Sequence, residues 1–169
     1  MVNGWTIFTH PLFLDQMERL TAAVEGERAS KPNAPPSANA KLLAHLRDLA
    51  FNEIPQDPGS ASFRHGSTLA GRRQWFRGKT GNGRYRLFYR YDSAAGIIVY
   101  AWVNDENSLR SYGKKSDAYA VFGKMLDGGS PPDDWEDLLN EASTEEALAR
   151  LEELGPGIAP DAGPPPSAD

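Results

Sequence analysis

Apolar and polar positions change their period near residue 60, from helical spacing to strand-like alternation. Before that point, residues 3–10 alternate well enough for a strand, with Trp5 and Ile7 inward. Pro11 then starts a helix in which Phe13, Met17, Leu20 and Val24 recur at helical spacing. The Pro- and Ala-rich stretch 30–40 has no apolar period and reads as a loop. A second helix follows, with Leu42, Leu43, Leu46, Leu49 and Ala50 as its buried stripe, stopped by Pro55 and Pro58.

Beyond residue 60 the pattern predicts strands. Residues 61–69 read as an irregular strand and 74–79 as a second, followed by the turn TGNG at 80–83, which has hairpin chemistry. Residues 84–91 alternate cleanly: Tyr85, Leu87, Tyr89 and Tyr91 on one face, Arg84, Arg86, Phe88 and Arg90 on the other. IIVYAWV (97–103) is almost wholly apolar, as expected of a central strand. After the polar loop 104–115, Ser116 can cap a helix with Tyr119, Phe122 and Met125 inward. Asp134 can cap a short acidic helix from Trp135 to Glu141, and Ser143 with Glu146 forms a capping box for an amphipathic helix at 143–154. The order β-α-α-β-β-β-α predicts a small α+β domain, with helices on one face of an antiparallel meander and the basic side chains of residues 84–90 on the other. The expected division is a domain over 1–141, an accessory acidic amphipathic helix over 142–154 and a disordered Pro/Gly-rich tail over 155–169.

Charge sharpens this picture. Residues 60–124 carry twelve of the 18 Lys and Arg and four of the 23 Asp and Glu, a local net of +8, whereas residues 125–169 have a net of −11. A basic segment patterned as strands is either the electrostatic footprint of a polyanion binder or an ordinary solvated basic face matched by an acidic helix of the same protein. Arg77 and Lys79 share a face of one strand and Arg84 and Arg86 a face of the next, so a hairpin through TGNG sets them side by side. Arg grips phosphate bidentately, Lys supplies a compact charge, and Phe88 among them could stack on a base.

The chain has no cysteine, which removes disulfides, thiolate metal sites and Cys nucleophiles and suits a reducing cytoplasm. Its three His, at 10, 45 and 65, form no local metal-ligand cluster. No signal peptide and no membrane-spanning run is predicted. Candidate chemistry therefore rests on cations, tyrosines and one histidine. His65, beside Arg64 in FRHG, is either a proton-transfer residue or a hydrogen-bonding residue at a strand end. Asp105 and Glu106 read as acids that orient Arg or Lys rather than hold a metal. Arg110, Tyr112, Lys114, Lys115 and Tyr119 follow them, Tyr112 and Tyr119 being candidates for stacking or phosphate contact. This inventory suits metal-independent, cofactor-free phosphodiester cleavage, in which a ribose 2′-hydroxyl attacks the adjacent phosphate and cations stabilise the developing charge.

VNGW (2–5), HPLF (10–13), KLL (41–43), FRHG (63–66), GRYRLFYRY (83–91), WVNDENSLRSYGKKSDAYAVFGKML (102–126) and PPDDW (131–135) together resemble the YhaV family of type II toxin–antitoxin toxins, within the RelE-like ribonucleases. The resemblance implies a RelE-like fold and a growth-inhibiting endoribonuclease acting on mRNA, on or off the ribosome. It implies a PrlF-type, AbrB-like antitoxin as partner, with operator DNA bound only through that complex. By position it assigns phosphate-binding roles to Arg77 and Lys79, the leading transition-state cation to Arg86 and the site tyrosine to Tyr119. The loop cation is Arg110, Lys114 or Lys115, Arg84 is a further phosphate contact, and Arg64 and His65 join the catalytic set. The rival expectation is a non-catalytic RNA-, ribosome- or operator-binding module.

Overall fold

The computed structural model describes residues 1–160. It opens with β1 (Thr6–Thr9), α1 (Pro11–Ser30) and α2 (Ala38–Asp48). A π-helical turn over Leu49–Glu53 carries α2 into the short α3 (Ile54–Gln56). The meander follows as β2 (Phe76–Thr80), β3 (Tyr85–Asp92) and β4 (Ile97–Val103), then α4 (Ala118–Asp127), α5 (Trp135–Ala142) and α6 (Glu145–Leu154). The strand order is β1-β4-β3-β2. The meander is antiparallel, as expected, and β1 adds to it parallel to β4, making the sheet mixed.

β4 is flanked on both edges, which explains its nearly continuous apolar sequence. It feeds two cores. On one face Leu87, Tyr89, Ile98 and Tyr100 pack with Phe13, Leu14 and Met17 of α1 and Leu46 of α2. On the other, Phe88, Val99, Ala101 and Trp102 pack with Phe122 and Leu126 of α4 and Leu138 of α5. Helices thus cover both faces, not one. The reason is that α4 and α5 carry apolar stripes of their own and the sheet presents apolar side chains to them. A bulge between β3 and β4 pairs Phe88 with Trp102 but Tyr89 with Tyr100, so Ala101 and Trp102 both face α4.

Two features fix the hairpin that carries the cations. Gly81, Asn82 and Gly83 all have positive φ (60°, 57° and 79°), a conformation that Gly and Asn adopt at little cost. The resulting register pairs Lys79 with Arg86 and Arg77 with Phe88, so all four side chains share one face. At Gly78 a Cβ would lie 2.8 Å from Leu49 Cδ2, so any larger residue would force the buried Leu49 side chain of the π-helical turn to shift.

Three local expectations change. Residues 61–69 form no strand; they contain 3₁₀ turns at Ala61–Phe63 and, overlapping their end, Leu69–Gly71, because Leu69 and Ala70 take positive φ. α4 is capped by Asp117 rather than Ser116, and α6 by Thr144 rather than Ser143. In each case the side chain one residue later accepts the orphan N–H, from Tyr119 and Ala147 respectively.

α6 is packed into the α1–α2 side core through Ala147, Leu151 and Leu154. Arg150 reaches Asp15 at 2.6 Å and Glu18 at 2.7 Å on α1. Of the segment expected to be disordered, residues 155–160 make a turn that lays Ile158 and Ala159 on this core, while 161–169 lie outside the described residues.

Candidate active site

The site grows from the first turn of α4. The Asp117 carboxylate caps the helix by accepting from the Tyr119 N–H at 3.1 Å, and this aims the buried Tyr119 ring at the sheet, edge-on to Phe88. The Tyr119 hydroxyl oxygen there accepts from Arg77 Nε at 2.9 Å and from Arg86 Nε at 3.1 Å. Each guanidinium is tethered a second time. Arg77 Nη1 donates to the Ser62 carbonyl at 2.8 Å, and Arg86 Nη1 to the Gly83 and Tyr85 carbonyls at 2.5 and 3.2 Å. The Nη2 atoms of both arginines make no hydrogen bond among the described residues, yet neither is a buried orphan, so both reach solvent.

The residues themselves are otherwise hidden, Arg77 being 8% and Arg86 4% exposed. Neither has a carboxylate within ion-pair distance among the described residues. A buried cation without a counter-ion is unfavourable for stability. Here the cost is offset in part by the neutral acceptors around each guanidinium, the Tyr119 oxygen and the Ser62, Gly83 and Tyr85 carbonyls.

Loop 104–110 completes the wall. Asn104 accepts from the Arg86 N–H at 2.6 Å and donates to the Arg84 and Ser108 carbonyls at 3.0 and 2.8 Å, tying the loop to the start of β3. Asp105 accepts from the Asn107 N–H and the Ser108 hydroxyl and lies 3.8 Å from Arg19, so it shapes the loop and faces a cation. Arg110 donates to Asp117 Oδ1 at 2.5 Å, and its guanidinium lies 4.8 Å from the Tyr119 ring and 3.7 Å from the Tyr112 ring. Tyr112 is 83% exposed, a free aromatic face at the rim. Lys79, Arg84, Lys114 and Lys115 stand exposed around the cluster.

The hairpin and α4 therefore bring together Arg77, Arg86, Arg110 and Tyr119. They do not bring in Phe88, which is fully buried between Phe122 and Trp102, with ring centroids at 4.2 and 5.9 Å; it is core, not a base-stacking platform. His65 is buried with both ring nitrogens engaged, Nδ1 with the Thr68 hydroxyl and Nε2 with the Arg72 carbonyl, each at 2.8 Å. Of its two sequence readings this geometry favours the hydrogen-bonding one, although the residue lies in a loop and not at the strand end expected for it. Arg64 lies 4.6 Å over the Phe76 ring, on the side of the sheet opposite Arg77, so it is outside the Tyr119 cluster. Arg90 is half-buried against Trp75 and Trp135 and donates to the Asp133 carbonyl; burial lowers its pKa.

Two members of the site were missed in the sequence. Asp117 could have been found as the one acid of the SDAY segment, where a basic surrounding and a helix start coincide. The Ser62 carbonyl could not, because it enters only through the 3₁₀ turn. Among the described residues no group of three or more His, Asp and Glu is placed to hold a metal ion.

The chain matches the YhaV toxin family, described as toxins with endonuclease activity of a toxin–antitoxin system, over residues 7–143. A toxin YhaV of Escherichia coli O6:H1 (strain CFT073) is 46% identical over 149 residues, covering 86% of this chain and 96% of that protein. The ribonuclease toxin YhaV of Escherichia coli strain K12 is 47% identical over 143 residues, covering 83% and 93%. Among solved structures, one from the RelBE2 toxin–antitoxin complex of Mycobacterium tuberculosis aligns with a TM-score of 0.40 and 20% identity, covering 63% of this chain and 94% of that one.

Proposed function

This chain belongs to the YhaV family of endonuclease toxins of toxin–antitoxin systems, and from that premise we propose that it cuts mRNA without a metal, through the cationic cluster centred on Tyr119. The family's endonuclease activity sets aside the non-catalytic alternative. The observation that carries the reading is the convergence of Arg77 and Arg86 on one tyrosyl oxygen, with an unengaged Nη2 of each at the surface.

The 2′-oxygen of one ribose bonds to the adjacent phosphorus while the P–O5′ bond breaks, giving a 2′,3′-cyclic phosphate and a 5′-hydroxyl. Negative charge accumulates on the non-bridging oxygens. Arg86 Nη2 and Arg77 Nη2 donate to them from guanidiniums already fixed by their bonds to Tyr119 and to backbone carbonyls, so little reorganisation is needed as the charge develops. The Tyr119 oxygen already accepts twice, so its O–H is left to point outward, and it donates to the departing O5′ as water takes the proton of the 2′-hydroxyl. Lys79, Arg84 and one or more of Arg110, Lys114 and Lys115 hold flanking phosphates, and Tyr112 offers a stacking face. His65 acts by holding the loop from residue 65 to 72, which follows the turn that supplies the Ser62 carbonyl.

The antitoxin in this reading is PrlF-type and AbrB-like, neutralises the toxin in the cytoplasm by covering these cations, and confers operator binding on the complex. The test is incubation of the purified protein with end-labelled mRNA in EDTA, with and without ribosomes. Cuts with 5′-hydroxyl and cyclic or 3′-phosphate ends are expected. Cleavage that EDTA abolishes would end the metal-independent reading, and cleavage confined to the ribosome lane would fix the substrate context.

A further inference from the structure

Two grooves on the far side of β2 share Arg64 and Arg73 as walls. One runs along the loop at His65, Gly66 and Ser67. The other opens over the ends of β2 and β3, between Tyr91 and Trp135. We propose that Arg64 and Arg73 form a second phosphate subsite, which holds single-stranded RNA leaving the Tyr119 cluster. The proposal rests on the RNA-cleaving reading above and assigns Arg64 to tracking rather than to the reacting centre.

The electrostatics favour it. Arg72, between the two, is neutralised by Asp127 at 2.6 Å and Asp133 at 3.4 Å. Arg64 and Arg73 are exposed and have no carboxylate within ion-pair distance among the described residues. Asp133 is already committed to Arg72, Gln74 and Trp75, and Asp92 turns its Oδ1 to the Ala94 and Ala95 N–H groups. Among the residues that line them, the first groove carries Arg64 and Arg73 and no acid, and the second Arg64, Arg73 and Arg90 against Asp92, so both keep a positive balance.

The geometry also fits a nucleotide chain. The Arg64 guanidinium carbon lies 4.6 Å from the centre of the Phe76 ring, a cation–π contact that anchors the side chain and leaves its N–H groups for a phosphate. Tyr91 and Trp135, both only partly buried, give the second groove aromatic walls on which a base can stack. The two regions meet around the edge of β2, where Ser62, two residues before Arg64, receives Arg77 Nη1. β3 carries Arg86 at the cluster and Arg90 at the groove, four residues or roughly 14 Å apart at the usual strand rise. A short single-stranded segment bridges that distance.

The experiment measures binding and cleavage of a long unstructured RNA by the full chain across a salt series, for wild type, Arg64→Ala/Arg73→Ala and Arg64→Lys/Arg73→Lys. Melting curves confirm that the variants fold. With about 0.7 lost per phosphate contact, the Ala pair lowers the slope of log affinity against log salt by about 1.4, and the Lys pair restores most of it. KM for the long RNA rises in the Ala pair, and a substrate too short to leave the cluster shows no such rise. An unchanged slope, or a loss confined to kcat, would overturn the second subsite while leaving the cleavage reading intact. Wild type that neither binds nor cuts RNA would overturn that reading and the subsite with it.

Discussion

Arg77 and Arg86, on neighbouring strands, donate their Nε protons to the same Tyr119 oxygen, at 2.9 and 3.1 Å. The shared acceptor holds two like charges close together, each with an Nη2 that makes no hydrogen bond among the described residues. Arg86→Ala should lower the rate by about 10²–10³, the usual cost of one fixed donor to a developing oxyanion. Tyr119→Phe separates proton donation from positioning. A loss of about 10² or more in kcat is expected if the hydroxyl donates to the leaving oxygen. A Phe variant that keeps wild-type kcat, measured on purified folded protein, would remove that role.

Asp117 divides its two oxygens between two tasks. Oδ1 takes Arg110 at 2.5 Å and the Ser111 N–H at 2.7 Å, while Oδ2 caps Tyr119. An Asn has one acceptor oxygen and cannot serve both. Asp117→Asn should cost about 0.5–2 kcal/mol of stability as a damaged cap, and about tenfold in kcat as Arg110 loses its anchor. Because the two residues act as a unit, Asp117→Asn and Arg110→Ala should be strongly non-additive in a double-mutant cycle. Additive effects on kcat would show that the pair is only a cap and a surface ion.

Phe88 tests which face of the sheet is free. Buried among Phe122, Trp102 and Tyr119, it supports the very tyrosine that the arginines address. Phe88→Ala should destabilise by about 3–5 kcal/mol, read by denaturant unfolding. A base-stacking role would predict the reverse: weak effects on stability and a large loss of RNA affinity.

These sites show what could be read from the chain alone. The alternation of residues 84–91 and the TGNG turn placed Arg77, Lys79 and Arg86 on one face, because a two-stranded register follows from local turn geometry. The YhaV resemblance placed Tyr119 against them. What local pattern could not supply was the second layer of helices. Period-2 alternation distinguishes two faces of a strand but not whether each is wet, so Phe88 read as exposed until α4 was seen to cover it. The surroundings of His65 and Arg64 were illegible for a related reason: residues 61–69 read as a strand, whereas positive φ at Leu69 and Ala70 folds them into turns whose hydrogen bonds engage the imidazole.

His10 predicts a pH dependence. It is buried at the start of α1, where Nδ1 accepts from the Leu12 N–H at 3.1 Å and Nε2 lies 3.0 Å from Glu141. Burial lowers its pKa below the usual 6.5, and Glu141 only partly opposes this. Protonation would also place an N–H at Nδ1 against the Leu12 N–H. As pH falls through about 6.5 the unfolded chain takes up a proton that the folded chain refuses, so stability falls with pH until the lower folded value is passed. His10→Asn keeps a capping oxygen without the titration. Its melting temperature should vary less between pH 7.5 and 5.5 than that of wild type; equal slopes would assign the dependence to other groups.

α6 poses the last test, because its charge and its packing argue for different roles. As an acidic segment it could lie on the cationic cluster and compete with RNA. The structure puts it against α1 and β1 on the opposite side of the sheet from Tyr119, with Leu151 fully buried. Leu151→Ala should therefore cost about 2–5 kcal/mol. Arg150→Ala, which loses partners that are about half exposed, should cost about 1 kcal/mol or less. Neither should tighten RNA binding once compared at temperatures where both are folded. A rise in RNA affinity in the Leu151 variant would mean that α6 leaves this core to cover the site. The expected outcome, lower stability at constant affinity, makes the helix part of the domain that holds the sheet in place, and so a contributor to toxicity only through the amount of folded enzyme.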